Sequence, residues 1–267
     1  MSHPDAFREI DRTADPAAVV AALETRGRDA AQRRLRMAFL RAIPIRRRDT
    51  VLEVGCGTGI ILRDLIPLVG RGGRLAGVDL SRTALRAARR YCRGTGITLR
   101  HADAATLPFT DDGFDATLAV TVLLHVADPG GVVREMARVT RPGGRVAVQD
   151  QDFGTVALAH PDPRLTDRIL RGVVERIYEE PNSGRRLPAL LSDAGIRNIR
   201  WRAHVYQEHA LTPYMQMFLQ RRAANAVRFG LVDEARAQAW LDGIEACAEA
   251  GTFVFTVNYV GAVGIKR

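Results

Sequence analysis

The chain has 267 residues and a formal net charge of +9, and 46% of its residues are hydrophobic. This length and composition are those of an ordinary globular protein with one large domain or two small ones. No apolar run reaches the roughly 18–20 residues that span a bilayer, and the polar N-terminal stretch lacks the apolar segment of a secretory signal peptide. We therefore expect a cytoplasmic protein without a membrane partner.

The basic residues are scattered, and they are arginines with the single exception of Lys266. Such a bias is typical of a GC-rich genome and does not by itself indicate a nucleic-acid-binding face, so we expect no nucleic-acid partner. The three cysteines, Cys56, Cys92 and Cys247, are few and far apart. Neither a disulfide framework nor a metal site is expected from them.

Strands and helices alternate along the first half of the chain. The hydrophobic spacing predicts a helix over 17–43, which Pro44 ends. Five short apolar strands follow, and the fourth is apolar on both faces, as a central parallel strand would be. The predicted strands are 50–54, 75–78, 97–101, 114–122 and 145–149, and the helices between them are 60–69, 81–91 and 129–140.

The rhythm changes after residue 150. Residues 151–183 contain two helix-like pieces, broken at 160–163 and at Pro181. A short helix over 187–194, a strand over 196–206, a helical stretch over 213–249 and a strand over 252–260 follow. The elements predict an α/β fold, with a doubly wound, mostly parallel seven-stranded sheet of Rossmann-like type and helical additions that form a lid.

The glycine loop at 55–59 follows the first strand and has the spacing G-x-G-x-G. In an open parallel sheet, ligands lie beyond the carboxyl ends of the strands, so a ligand is expected here, facing the N-terminus of the next helix. A dinucleotide fingerprint has the spacing G-x-G-x-x-G instead. The acid before the loop, Glu53, suits a cationic amine better than a pyrophosphate.

Two acids at the ends of the next strands complete this picture. Asp79 ends the second strand, where a carboxylate can accept both hydroxyls of a ribose. Asp103 ends the third strand, where it can accept from an exocyclic amine such as that of adenine, although a helix-capping role is also open. A nucleoside with an amino-acid tail and no phosphate meets these requirements, and S-adenosylmethionine is such a molecule.

Five segments in order give the chain a family resemblance. They are VLEVGCGTG at 51–59, GVDLS at 77–81, HADAATLPF at 101–109, FDATLAVTVLLHV at 114–126 and VTRPGGRVAV at 139–148. With them, the sequence resembles the class I S-adenosylmethionine-dependent methyltransferases. LPFTDDGFD at 107–115 is typical of the small-molecule branch that includes the ubiquinone and menaquinone methyltransferases.

The resemblance implies a role for each matching position. The loop would follow the methionine part of the cofactor, Glu53 would hold its amino group, and Asp79 would bind the ribose. Asp103 would accept from the adenine amine. The cofactor-binding set implied is Glu53, Gly55, Cys56, Gly57, Gly59, Asp79, Leu80, Asp103, Ala104 and Thr121.

Candidates for catalysis lie after the fourth and fifth strands. A sulfonium methyl is already activated, so an enzyme of this kind must align a nucleophile and exclude water, and a hydroxyl nucleophile also needs a base. His125 is the best candidate for that base, with helix capping or packing as the alternative. Asp150 and Asp152 are further candidates, and the alternative for them is that they form a polar turn.

The expected function is methyl transfer to the O, N or C atom of a small organic acceptor, as in natural-product biosynthesis. The alternatives are an RNA or protein methyltransferase and a non-methylating S-adenosylmethionine-binding protein such as a cyclase. The cofactor-binding core is assigned to 49–150, an N-terminal lid to 1–48, a lid and substrate segment to 151–183, and the rest of the sheet to 184–267. A homodimer is left open.

Overall fold

A computed structural model of the chain describes residues 5–267, and its centre is one seven-stranded sheet. The strands are β1 (Thr50–Val54), β2 (Arg74–Asp79), β3 (Thr98–His101), β4 (Phe114–Val120), β5 (Thr140–Leu158), β6 (Arg197–Glu208) and β7 (Phe255–Ile265). Their order is β3-β2-β1-β4-β5-β7-β6. The first five strands are parallel to one another, and β7 is antiparallel to both β5 and β6. The prediction of a doubly wound, mostly parallel α/β sheet is confirmed.

Helices cover both faces of this sheet. The helices are α1 (Pro16–Arg28), α2 (Ala30–Ala42), α3 (Ile60–Val69), α4 (Arg82–Tyr91), α5 (Pro129–Val139), α6 (Pro163–Ile177), α7 (Ser183–Asp193), α8 (Pro213–Arg228) and α9 (Glu234–Glu249). One face packs against α2, α3 and α4, around Phe39, Leu62 and Leu85. The other packs against α5 and α7, around Met136 and Leu187. Burial of these apolar faces is what holds the layers together.

A further hydrophobic core lies beyond the carboxyl edge of the parallel strands. It joins α6, α8 and α9 to the C-terminal halves of β5 and β6 and to the N-terminal half of β7. We call this part the cap. Trp240 is fully buried in it, and its indole Nε1 donates to Thr166 Oγ1 at 3.0 Å. The cap therefore has its own apolar interior, built on strands that continue out of the main sheet.

The predicted single helix over 17–43 is wrong in one respect, because it is two helices. Asp29 interrupts it with extended backbone (φ −58°, ψ 130°) and caps α2 by accepting from the amide of Gln32 at 2.9 Å. An aspartate at this position offers its own carboxylate to the next helix, which favours a break. The helical stretch predicted over 213–249 is confirmed, and it consists of two helices, α8 and α9.

The first helix-like piece predicted within 151–183 is also wrong, since β5 continues through it to Leu158. Residues of this extension pair with β7, including Asp152 with Asn258 and Leu158 with Phe255. The partner strand lies about a hundred residues later in the chain, so local patterning does not reveal the pairing. The lid function assigned to this segment stays a prediction. Across residues 5–267, no helix combines the length and apolar character needed to cross a membrane.

Candidate functional site

The glycine loop lies at the carboxyl end of β1, as predicted. Gly55, Gly57 and Gly59 all have positive φ, at 70°, 52° and 78°. A Cβ on Gly55 would lie 2.4 Å from Val122 Cγ2, and one on Gly59 would lie 2.8 Å from Cys92 Sγ. Glycine is required at these two positions both by the left-handed backbone and by the close packing.

Asp79 fixes this loop from the neighbouring strand. Its carboxylate accepts from the amide of Gly57 at 2.7 Å and from the amide of Ser81 at 2.8 Å. Burial raises the pKa of Asp79 in spite of these two donors. One carboxylate thus ties the ends of β1 and β2 together at the place where a ribose is expected.

The largest cavity described, of about 420 Å³, opens beside this pair. We call it the loop cavity, and its volume is that of a small-molecule site. It brings together most of the residues singled out from the sequence, although they come from four strand ends. Those residues are Gly55, Gly57, Asp79, Leu80, Asp103, Ala104, Thr121 and His125.

Asp103 lines the loop cavity and is exposed to it. Its Oδ1 accepts from the amide of Ala105 at 2.8 Å, so it closes a turn and does not cap a helix. Thr121 also lines the loop cavity and has a φ of 56°, and this backbone ends β4 at Val120, two residues before the predicted end. Both residues line the loop cavity, and the roles assigned to them stay predictions.

A narrower cavity of about 90 Å³, the inner cavity, adjoins the first and shares Gly55, Gly57 and Thr121 with it. Glu53 and Cys56 line it. Glu53 is buried, and its Oε2 has no hydrogen-bond partner within residues 5–267. Burial and the neighbouring Asp79 carboxylate raise the pKa of Glu53 well above its usual range. A cationic amine placed here would satisfy the oxygen and offset the cost of burying the charge.

Arg26, a residue that the sequence analysis missed, also lines the inner cavity. Its guanidinium donates to Thr121 Oγ1 at 3.3 Å and to the Tyr259 hydroxyl at 3.2 Å. Gln32 and Gln151 also donate to that hydroxyl, at 3.2 and 2.8 Å. These residues come from distant parts of the chain, and no local pattern marks any of them.

The N-terminal segment forms one wall of the site. Glu24 of α1 accepts from Thr58 Oγ1 in the glycine loop at 2.5 Å and from Arg63 at 3.2 Å. Asp11 accepts from the amides of Arg82 and Thr83, at 2.7 and 3.0 Å, at the start of α4. A carboxylate at a helix N-terminus is favoured by the unpaired amides there. Polar contacts therefore hold this wall against the cofactor-binding core predicted from the sequence.

A third cavity, of about 70 Å³, lies between the N-terminal wall and the cap. Five aromatic side chains line it, so we call it the aromatic cavity. They are Phe7, Phe153, Tyr178, Tyr214 and Phe218. It meets the loop cavity at Phe7, Arg26 and His125, which line both.

His125 is held at this boundary. It ends the short 3-10 helix Leu123–His125, and its ring contacts Tyr178 at 5.3 Å and Phe7 at 6.0 Å between centroids. Nδ1 is hydrogen-bonded to the carboxylate of Asp5. Burial alone would raise the pKa of Asp5, but His125 and the amide of Phe7 hold it below its usual value. The carboxylate favours the tautomer with its proton on Nδ1.

Asp150 and Asp152 follow the parallel part of β5 and are buried, and neither lines the cavities described here. Asp150 accepts from the amide of Leu124 at 3.2 Å and from Ser183 Oγ at 3.0 Å. Burial raises its pKa to about 7. Asp152 forms a two-point ion pair with Arg185, with both distances 2.7 Å. Their contacts support the turn before His125 and the start of α7.

Gly59 also lines none of the three cavities; it caps α3 and packs on Cys92. Burial raises the pKa of the Cys56 thiol well above its usual value, which keeps it protonated. A protonated thiol is a poor nucleophile. The loop therefore offers backbone and shape to a ligand, and its cysteine has no chemical part in the site.

Comparison with known proteins gives a consistent result. Residues 52–148 match the model of a methyltransferase domain family. The chain is 31% identical over 219 residues to an uncharacterized 37.1 kDa protein in a transposon of Streptomyces fradiae, covering 81% of this chain and 63% of that protein. It therefore spans somewhat less than two thirds of the length of that relative.

A second relative is the ubiquinone/menaquinone biosynthesis C-methyltransferase UbiE of Pectobacterium carotovorum. It is 30% identical over 176 residues, which are 59% of this chain and 70% of the relative. Among solved structures, phosphoethanolamine N-methyltransferase 2 of Haemonchus contortus superposes with a TM-score of 0.63 at 19% identity, covering 97% of this chain and 60% of that one. At 19% sequence identity, this likeness shows a shared fold alone.

Proposed function

The chain belongs to the class I S-adenosylmethionine-dependent methyltransferases, and we propose that it methylates a small organic acceptor bound where the aromatic cavity joins the loop cavity. The observation that carries this is the junction of the two cavities. Phe7, Arg26 and His125 line both the loop cavity and the aromatic cavity. A donor on one side of the junction and an acceptor on the other would meet there, which is the alignment that methyl transfer needs.

The cofactor fits the loop and inner cavities on three counts. Glu53 offers a buried oxygen without a partner to the amino group. Arg26, on the same inner cavity, offers a guanidinium to the carboxylate of the methionine part. Asp79, with Leu80 beside it, and Asp103, with Ala104, line the loop cavity at the places proposed for the ribose and the adenine. The backbone of Gly55, Cys56 and Gly57 would lie along the methionine part of the cofactor.

The residues at the junction would serve the acceptor. When bound, S-adenosylmethionine supplies a methyl group already activated by the sulfonium. His125, with Nδ1 hydrogen-bonded to Asp5, would present Nε2 to the acceptor and remove the proton of a hydroxyl. Asp5 would then act as a positioning residue. Phe7 and Tyr178, packed on the imidazole, would exclude water.

We assign Asp150 and Asp152 to support of the site. Asp150 holds the amide of Leu124, next to His125, and Asp152 is occupied by Arg185. Neither carboxylate is within the cavities where an acceptor would bind. This changes the role proposed for them from catalysis to the positioning of the turn that carries His125.

A turnover screen tests the proposal. The protein and S-adenosylmethionine are incubated with phenols, amines and quinones, and S-adenosylhomocysteine is measured by mass spectrometry. We expect product with a subset of small acceptors and none without acceptor. Binding of the cofactor with no turnover on any acceptor would favour the non-methylating alternative. Salt-sensitive turnover with RNA would favour the nucleic-acid alternative.

The donor site has its own test in Asp79→Ala. The substitution removes the carboxylate that joins Gly57 to Ser81 and that is proposed to bind the ribose. S-adenosylmethionine affinity, measured by calorimetry, should fall about 100-fold, the loss expected for two charge-assisted hydrogen bonds. The exposed acid Asp193, changed to alanine, is the control. Binding of NAD to the wild type would contradict the assignment of the loop.

A further inference from the structure

The aromatic cavity carries an excess of positive charge. Arg26, Arg221 and Arg222 line it, and Asp5 is the carboxylate that lines it within residues 5–267. That carboxylate is hydrogen-bonded to His125. The first four residues, MSHP, contain no acid. In the described lining, one carboxylate therefore faces three guanidinium groups.

Arg222 shows the imbalance most clearly. It is 4% exposed, and no ion pair among residues 5–267 includes it. Its Nη2 donates to the Tyr178 hydroxyl at 3.2 Å, and its guanidinium lies 4.7 Å from the centroid of Phe218. Ring contacts offset part of the cost of removing an arginine from water, but they do not replace a counter-ion.

Arg221, the preceding residue of α8, is in the same situation. Its guanidinium lies 4.8 Å from the centroid of the Phe7 ring, and no ion pair within the described chain includes it. Burial lowers its pKa, and the nearby Asp5 carboxylate offsets only part of that effect. Arg26 differs from both, because the proposed function already gives it the carboxylate of the cofactor.

The walls between these arginines are flat and apolar. Phe153 and Tyr178 stack with an interplanar angle of 11° and a centroid separation of 5.0 Å. Arg222 lies against both rings, at 5.2 and 5.4 Å from their centroids. A planar ring would pack on such a surface, and an anionic group on that ring would reach the guanidinium groups.

We propose that the methyl acceptor is a small aromatic carboxylate, bound with its carboxylate at Arg221 and Arg222 and its ring beside Phe7 and Tyr178, where the aromatic cavity opens into the loop cavity. The bound carboxylate is the counter-ion that the cavity lacks. The reactive hydroxyl or carbon of the ring is then directed toward His125 and the junction with the loop cavity. This inference rests on the proposed function, because it names the class of acceptor for that same site.

Paired ligands test the charge requirement directly. The protein is saturated with S-adenosylhomocysteine, and 4-hydroxybenzoate and 4-hydroxybenzamide, which have nearly the same shape, are titrated by calorimetry. We expect the acid to bind at least about 10-fold more tightly than the amide. In Arg222→Met, the affinity for the acid should fall about 10-fold and that for the amide should stay within twofold. Arg222→Lys should retain part of the preference.

The control is Arg228→Met, which removes an exposed arginine from the same helix. It should leave both affinities unchanged. Because Arg222 is buried, each variant is checked for its thermal midpoint and for S-adenosylhomocysteine affinity, and Arg221→Met provides the test if the Arg222 variants do not fold. Equal binding of acid and amide, or measurable binding of neither, overturns the inference. If the wild type does not bind S-adenosylhomocysteine, the proposed function is overturned instead.

Discussion

The loop cavity and the aromatic cavity are built in opposite ways. The loop cavity is lined by the ends of adjacent parallel strands, and its features are glycine backbone and three carboxylates, Asp79, Asp103 and Asp128. The aromatic cavity is lined by large side chains from α1, β5, α6 and α8 and from the segment before α1. A site made of backbone tolerates little change, whereas one made of side chains can be altered residue by residue. The difference fits a cavity for one fixed cofactor beside a cavity for one acceptor among many.

The largest effect should come from the backbone side of this comparison, in Gly55→Ala. The new Cβ would lie 2.4 Å from Val122 Cγ2, in a residue with a φ of 70°. Loop and β4 would have to separate, so we expect S-adenosylmethionine affinity to fall by 100-fold or more, measured by calorimetry.

Gly94→Ala is the matched control for that change. Gly94 also has a positive φ, of 77°, but a Cβ there would meet nothing within 4 Å. Gly94→Ala shares the conformational strain of Gly55→Ala and lacks the clash. Its affinity for S-adenosylmethionine should therefore stay within about twofold of the wild type. Similar losses in both variants would mean that strain and not packing controls the loop.

The second prediction concerns the junction of the cavities, where His125→Gln removes the proposed base. On an acceptor that is methylated at a hydroxyl, kcat should fall about 100-fold with S-adenosylmethionine affinity unchanged. Asp5→Asn should give a smaller loss and shift the pH profile of kcat, because Asp5 acts through the imidazole. The exposed His209, changed to glutamine, should have no effect. Full activity in His125→Gln would assign the histidine to packing.

The third and smallest effect is on stability, in Asp150→Asn. The pKa of Asp150 is raised by burial to about 7, whereas an aspartate of the unfolded chain titrates near about 3.9. Its contribution to stability is complete below about pH 4 and is lost as the pH rises to about 7. The asparagine does not titrate, so the free energy of unfolding of the variant relative to the wild type should increase by about 2–3 kcal/mol between pH 5 and pH 8.

Urea unfolding at several pH values measures this difference. Asp193→Asn, at an exposed position, should show no such trend. If the difference in the free energy of unfolding between Asp150→Asn and the wild type does not change with pH, the hydrogen bonds of Asp150 to Leu124 and Ser183 keep its carboxylate ionised in the folded protein. The result would sharpen the assignment of Asp150 to support of the junction.

The loop cavity was largely predictable from the sequence, and the aromatic cavity was not. VLEVGCGTG places strand, loop and helix in one contiguous stretch, and Asp79 and Asp103 stand at strand ends whose position in the sheet follows from the alternation of elements. Arg26, Phe153 and Arg222 line one cavity only because the tertiary fold brings them together. Each sits in an ordinary helix or strand pattern, which gives no sign that its side chain turns inward.

The same division explains the errors in secondary structure. The extension of β5 from Asp152 to Leu158 depends on β7, and no local preference of these residues requires a strand. The break at Asp29 is a local signal, an aspartate before three helix-forming residues, that the apolar spacing around it concealed.

The position of β7 between β5 and β6 has a consequence for how the chain folds during synthesis. β5 and β6 are both translated before β7, which pairs with each of them along most of its length. Until β7 emerges from the ribosome, the facing edges of both strands present unpaired amide and carbonyl groups, the kind of edge that recruits strands from other chains. β7 thus fills the gap between β5 and β6, and the stage of synthesis with the most unpaired strand edges lies just before β7 emerges.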